Sequence, residues 1–221
     1  MRSKQGTLNY VLARHGSRDI IHGFVKGRSP VTNAARHIGF AYTLTFDLRD
    51  FFDSCTESLL GALMHPAQFA GLLPDGAARQ GLPTSPTLAN IAATTLDTEI
   101  DSWCRDNIGL RSDAHFAYTR YADDLTISFN DQRHVRQLLA VVPQLVTACG
   151  FRLAEEKTHL YSAEGGRRIV TGVSVGPCDL KPTRGTRRKL RAAKHQGNVR
   201  GVRGLTEWMK LKRPKVKGVT A

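Results

Sequence analysis

Two aspartates, Asp123 and Asp124, stand side by side in "FAYTRYADDLTISF" (116–129), between two runs rich in β-branched and aromatic residues. A third, Asp47, closes a similar run, "FAYTLTFD" (40–47). Taken alone, an Asp-Asp pair is an ordinary turn signature. If the fold brings Asp47 to the same place, the three carboxylates repel one another and raise each other's pKa unless cations neutralise them. Carboxylate oxygens favour hard divalent ions, Mg²⁺ or Mn²⁺, so the chemistry on offer is metal-assisted. Cys55, Cys104, Cys149 and Cys178 form no CxxC pair and read as reduced and buried, neither zinc ligands nor a disulfide framework.

The elements around these residues decide whether they meet. Residues 40–47 read as a strand ending on Asp47, and "DFFDSCTESLLGALM" (50–64) has the apolar spacing of a short helix. Residues 65–86, interrupted by Pro and Gly, read as loop. A long helix is expected over 85–108, with Ser85 as N-cap and Pro86 at the first helical position. Strands follow at 114–122 and 125–129, then a helix over 131–150 kinked at Pro143 and stopped by Gly150. A strand at 158–162 and a further hairpin strand at 167–175 complete the pattern. With the first short helix treated as an insertion, the order is β-α-β-β-α-β. That is an α+β, ferredoxin-like split βαβ, an antiparallel sheet with both long helices on one face. In such a sheet Asp47 ends beside the hairpin of Asp123 and Asp124.

Charge is divided unevenly. Residues 181–221 hold 14 Lys/Arg against a single acid, Glu207, which accounts for the whole net charge of +13 and leaves 18 basic and 18 acidic groups before them. A balanced body with a basic end suits a polyanion, most often nucleic acid; a solvated, solubilising tail is the alternative. Arg184, Arg187, Arg188 and Arg191 recur at the spacing of one helix face, as needed to track a duplex backbone. A second helical piece, "GLTEWMKLKRPK" (204–215), offers Trp208 either for packing onto the first or for stacking on a base. No run approaches the ~18 apolar residues of a membrane span. The polar start "MRSKQGTLNY" has no signal-peptide core, so the expectation is a cytoplasmic protein without membrane contact.

"YADD" between two strands, preceded by "FDLRDFFDS" and "QGLPTSPTLAN" and followed by "GFRLAEEKT" and "RRIVTGVSV", resembles the ordered motifs of reverse transcriptases. Upstream, "HGFVKGRSPVTNAARH" holds Asn33 to His37 in an NAxxH pattern, and Val170-Thr171-Gly172 fits a VTG element. Both are similar to the bacterial retron type. The resemblance implies a reduced fingers region over 1–39, a palm over 40–180 with a fingers insertion about 65–86, and basic thumb-like helices over 181–221. The stretch before the first strand is shorter than that family's usual fingers, and its triphosphate-gripping basic motif is not recognisable.

By that resemblance Asp47, Asp123 and Asp124 would be catalytic and, with the carbonyl of Leu48, would hold two Mg²⁺ ions, with Mn²⁺ as the substitute. Phe52 would exclude a 2′-hydroxyl, with Phe51 left to the core. Gln80 and Gly81 would lie over the nascent base pair, and Asn90 would face the template. Lys157 would stand near the departing pyrophosphate or be a plain turn lysine; Arg120 would touch substrate or pair with an acid. Asn33 and His37, with Thr171 and Gly172, read as a structural brace with RNA contact in reach. The implied function is a retron-like RNA-directed DNA polymerase serving anti-phage defence. It would copy a structured non-coding RNA with dNTPs through an RNA–DNA duplex, beside an effector protein. Group-II-intron-like or other defence-associated reverse transcriptases are the rivals within the class. A non-catalytic RNA-binding scaffold of the same fold is the rival outside it, and a two-metal nuclease leaves the other motifs unexplained.

Overall fold

Along β1 (Tyr42–Asp47), Leu44 and Phe46 point one way and Thr43, Thr45 and Asp47 the other, because successive strand residues face opposite sides. The computed structural model describes residues 4–16, 19–109 and 115–211. It pairs β1 antiparallel with β3 (Asp124–Phe129) and with β4 (His159–Ser162), and β3 with β2 (Phe116–Tyr121), in the order β2-β3-β1-β4. Register matches like with like. Leu44 faces Ile127 and Phe46 faces Leu125, while Thr43 faces Ser128, Thr45 faces Thr126 and Asp47 faces Asp124. A one-residue slip would exchange the two sides, so the alternation itself fixes where the carboxylates emerge.

The apolar side of the sheet is covered by α5 (Ser85–Ala92), α6 (Thr94–Asn107) and α7 (Arg133–Ala148), with α6 and α7 in contact. Leu44, Phe46, Ile127, Leu88, Leu96 and Val142 are all buried in the resulting core. Each such side chain stabilises the fold by about 1.5–3 kcal/mol. The expected split βαβ order and its two helices on one face are thus observed. An N-terminal helix that the sequence reading did not anticipate, α1 (Lys4–His15), packs Leu8 and Val11 into the same core and lies against α5.

Several boundaries differ from expectation, each for a local reason. The helix expected over 50–64 is two, α3 (Phe51–Ser54) and α4 (Glu57–Gly61). Between them Cys55 gives its carbonyl to the Ala78 amide and Thr56 pairs with Ala77, so the break docks the returning loop. The long helix expected from 85 is interrupted at Ala93, where the Thr94 hydroxyl donates to the Ile91 carbonyl. Thr84, not Ser85, occupies the N-cap position; Ser85 Oγ instead accepts from the Arg79 amide at 3.1 Å. α7 continues through Pro143 and stops at Gly150, which has φ +82.

Residues 167–175 are a complete hairpin, β5 (Arg168–Val170) and β6 (Val173–Val175), extended by β7 (Leu180–Pro182) into a second sheet. Thr171 and Gly172 both have positive φ, 44° and 74°, which a two-residue turn of type I′ demands. α2 (Pro30–Ala35), capped by Ser29, packs Val31 and Ala34 on the valines of this hairpin. α8 (Arg184–His195) and α9 (Val199–Met209) pack on each other, and Trp208 is packed against the valine cluster. Residues 1–3, 17 and 18 of the expected fingers region, residue 114 of the expected second strand and residues 212–221 of the basic segment lie outside the described residues. Among the described residues no helix is long and apolar enough to cross a membrane.

Candidate active site

β1 and β3 deliver Asp47 and Asp124 opposite each other, and the two-residue turn Ala122–Asp123 brings Asp123 beside them. The Leu48 amide donates to the Asp123 carbonyl at 3.0 Å, tying the turn to the end of β1. On the other side the chain after α7 returns alongside. Arg49 N donates to the Arg152 carbonyl at 2.8 Å and Ala154 N to the Asp47 carbonyl at 2.8 Å. The single helical turn Glu155–Lys157 then places Lys157 Nζ 2.8 Å from Asp47 Oδ1, where it donates. Next to it Arg49 donates to both Glu156 oxygens, at 3.2 and 3.0 Å.

The electrostatics follow from this crowding. Burial, then Asp123 and Asp47, push the Asp124 carboxyl up to about 6, with Lys157 pulling back. Asp123 is raised as well, by burial and by Asp47, against a backbone hydrogen bond and Lys157. Lys157 is raised by its hydrogen bond and charge contact with Asp47.

Asp47, Leu48, Phe52, Gln80, Asp123 and Lys157 line one open cleft of about 490 Å³. Asp124 and Gly81 are not among its lining residues. Gly81 is exposed with φ +95, a conformation that suits glycine and leaves open space where a side chain would be. Phe52 is half-buried between Phe51, which is core as expected, and the half-exposed Phe24, at centroid distances of 5.7 and 5.9 Å.

The donors fit a hard cation. Asp47, Asp123 and the Leu48 carbonyl offer oxygen only, and burial together with the neighbouring carboxylates raises Asp123 and Asp124 despite Lys157. Among the described residues no three His, Cys, Asp or Glu side chains close into a metal cage. Mg²⁺ does not require one, since it is usually held by one or two carboxylates together with water and substrate phosphates.

Other expected residues fall elsewhere. Arg120 and Asn90 are fully buried and bonded to each other and to protein groups, so the substrate contact open for Arg120 and the template contact expected of Asn90 are corrected. His37 is also fully buried. Its Nδ1 meets Ser128 Oγ at 2.8 Å and its Nε2 meets Thr119 Oγ1 at 2.7 Å, which makes it a brace and closes its ring to RNA. Asn33 Nδ2 donates to Thr171 Oγ1 at 3.4 Å, so the NAxxH and VTG elements meet as one unit away from the cleft. Asn33 Oδ1 is buried there without a protein partner among the described residues. Arg184, Arg187, Arg188 and Arg191 are exposed along α8, with Ala193 buried on its opposite side. The sequence reading missed Gly23, Phe24 and Asp97. Only Asp97 left a signal, as an acid on the buried stripe of α6 with Ile100 and Cys104.

The family model described as "Reverse transcriptase (RNA-dependent DNA polymerase)" matches residues 7–202. The retron Mx65 reverse transcriptase of Myxococcus xanthus is 36% identical over 202 residues, covering 79% of this chain and 45% of its own. The retron Mx162 reverse transcriptase of the same organism is 33% identical over 240 residues, covering 87% and 47%. The chain therefore spans about half the length of these curated relatives. An apo telomerase structure from Candida tropicalis superposes with a TM-score of 0.55 at 12% identity, over 81% of this chain and 44% of that one, a likeness of fold.

Proposed function

The chain belongs to the reverse transcriptase family, and from that premise we propose that it is an RNA-directed DNA polymerase of the retron type. The observation that carries the reading is the single cleft in which Asp47 and Asp123 meet Phe52, Gln80 and Lys157. Residues 40–180 would serve as palm, residues 1–39 with the loop about 65–86 as a reduced fingers region, and residues 181–221 as a thumb-like basic segment.

Asp47, Asp123 and the Leu48 carbonyl would hold Mg²⁺ or Mn²⁺, with Asp124, opposite Asp47 on β3, as the further carboxylate. When bound, such ions supply activation of the primer 3′-hydroxyl and neutralisation of the triphosphate and leaving pyrophosphate. The remaining work belongs to the chain. Phe52 closes the space a 2′-hydroxyl would need, selecting dNTPs. Gln80 and Gly81 lie over the nascent base pair, where a bare backbone can approach closely. Lys157 exchanges Asp47 for phosphate and holds a proton at Nζ for the leaving group. The α8 arginines follow the phosphates of an RNA–DNA duplex. A structured non-coding RNA as template and primer, an effector protein partner and a place in anti-phage defence complete the proposal. They rest on likeness to retron enzymes.

A scaffold that binds RNA without catalysis is the second reading, favoured by one feature, the ion pair with which Lys157 already occupies Asp47. Primer extension on an RNA template with Mg²⁺ and dNTPs separates the two. Extension by the wild type and none by Asp123→Asn/Asp124→Asn is expected. Equal extension by both would sink the assignment of the carboxylates. Silence from both, persisting when RNA from the native host is supplied, would favour the scaffold.

A further inference from the structure

Behind the carboxylate turn, on the helix side of the sheet, lies a buried ion pair that the proposed mechanism does not use. Arg120 has no exposed surface, and its Nε and Nη2 donate to the two oxygens of Asp97 on α6, at 2.8 Å each. Its Nη1 donates to Asn90 Oδ1 on α5 at 3.0 Å and to the carbonyl of Ala122 at 3.1 Å. Tyr118 donates its hydroxyl to Asp97 as well, at 2.9 Å. Ala122 is the residue immediately before Asp123, and its φ of +57° lies in the left-handed region that a residue with a Cβ avoids.

A second contact reaches the same turn from the N-terminal segment. Residues 20–22 run alongside β2, with Arg120 N donating to the Ile20 carbonyl at 2.9 Å and His22 N to the Arg120 carbonyl at 2.8 Å. This carries Gly23 against the turn. A Cβ on Gly23 would overlap the Ala122 amide nitrogen and stand 3.0 Å from the Tyr121 carbonyl carbon. Asn90 pins Gly23 in turn, donating from Nδ2 to its carbonyl at 2.9 Å. Asn90 therefore joins both holds on Ala122, one through Arg120 and one through Gly23.

Stability does not explain an ion pair in this place, because apolar residues of similar volume usually serve a core as well or better. A guanidinium does one thing they cannot. Its planar fork satisfies Asp97 bidentately and still has a donor for the Ala122 carbonyl. We propose that Arg120, held by Asp97 and Asn90, is a positioning residue that acts through the Ala122 carbonyl, with Gly23 as backstop, to hold the left-handed turn that aims Asp123 into the cleft. The proposal rests on reading Asp123 as a metal-holding carboxylate.

The test exchanges the pair for apolar side chains of similar size, Arg120→Met/Asp97→Leu, in the full chain. Burial is kept and the hold on Ala122 is removed. The exchange leaves the Tyr118 hydroxyl, Asn90 Oδ1 and the Ala122 carbonyl without these buried partners, so the melting temperature falls while the dNTP KM stays within about twofold. The kcat falls about 10- to 100-fold, as a displaced reacting group demands. Mn²⁺ binding to the protein without nucleotide, read by electron paramagnetic resonance, weakens in parallel. Gly23→Ala leaves the ion pair intact and loads the turn directly; it should show the same split and decides the matter if the double variant does not fold. Wild-type kcat and Mn²⁺ binding in either folded variant overturns the proposal. So does a fall in melting temperature and KM performance with kcat unchanged, which would mark the pair as structural only. Asp123→Asn, assayed alongside, separates the two ways of failing. If it too stays active, the reading of Asp123 falls first. If it is inactive while the folded variants are normal, only the positioning role falls.

Discussion

Asp47 and Asp124 face each other across a strand pair, where like charges weaken a sheet, and Lys157 bonds only to the first of them. Burial and its two acidic neighbours lift the Asp124 carboxyl to about 6, so its ionised form is held at a cost at neutral pH. Asp124→Asn should therefore raise the melting temperature in metal-free buffer, by about 2–4 °C for each kcal/mol of repulsion removed. The gain should vanish when Mg²⁺ or Mn²⁺ is present. An unchanged or lower temperature without metal would mean that the three carboxylates are already compensated. Asp47 and Asp123 could be singled out locally, as acids at strand ends, whereas Phe52 and Lys157 stood out only through the ordered motifs that resemble a known family. The fold places all four on one cleft. Gly23 and Asn90 were not legible in the same way. Their contact spans 67 positions, and nothing beside Gly23 distinguishes it from a loop glycine. Arg120 could be read as a substrate contact or a salt-bridge partner, and only the sheet's register showed which way it points.

At the scale of elements, the polar side of the sheet is crossed by a row of hydroxyls that His37 plugs. Thr43 Oγ1 meets Ser128 Oγ at 2.8 Å, Ser128 meets His37, and His37 meets Thr119, so one ring ties β1, β3 and β2 together. Arg168 joins the row from the second sheet by donating to the Phe40 carbonyl and to Thr43. Burial, then His22, Arg168 and Arg36, push the His37 ring down from 6.5 to about 3. Across that window the unfolded chain binds a proton that the folded chain refuses, so stability rises with pH and is fully present above the unfolded value. Lowering the pH from 7 to 5 should cost about 2 kcal/mol through this ring alone, a fall of about 4–8 °C in melting temperature. His22, lowered to about 4 by burial and Arg28, adds in the same direction, whereas the raised Asp123 and Asp124 work against it. The comparison that isolates the effect is His37→Gln, which can hydrogen-bond but not titrate. Its pH profile should be flatter than wild type by that amount, and identical profiles would refute the assignment. The sequence carried the strands and the α7 stop at Gly150. It did not carry the break at Cys55–Thr56, which is made by pairing with the returning backbone at Ala77 and Ala78 and leaves no periodicity. Of the second sheet it carried the 167–175 segment as a hairpin strand, but not β7, a three-residue strand too short to show alternation.

Across the whole molecule the charge is segregated: residues 1–180 are neutral in sum, and the net +13 lies in residues 181–221. The fold gives that segregation a direction. Thr186, Leu190 and Ala193 turn inward from α8, while Arg184, Arg187, Arg188 and Arg191 stay exposed, and Arg187 also donates to the Pro182 carbonyl. A helix built in this way neutralises phosphates without reading bases. Its contribution to binding an RNA–DNA duplex should then appear as counterion release, a linear fall of log K with log salt concentration. Arg188 and Arg191 suit the test best, since substitution there removes charge from an exposed face and leaves the Pro182 contact and the Ala193 packing in place. Arg188→Ala/Arg191→Ala should reduce the magnitude of the salt slope by about 0.9 for each phosphate no longer neutralised, so by about 1.8. Affinity should weaken to the same extent for duplexes of unrelated sequence, because phosphate contacts position without specifying. A slope that stays at the wild-type value would show that these arginines are solvated and not engaged, which would return the basic segment to a solubilising role. A weakening confined to one sequence would point instead to base-edge contacts, and α8 would then be reading its ligand as well as holding it.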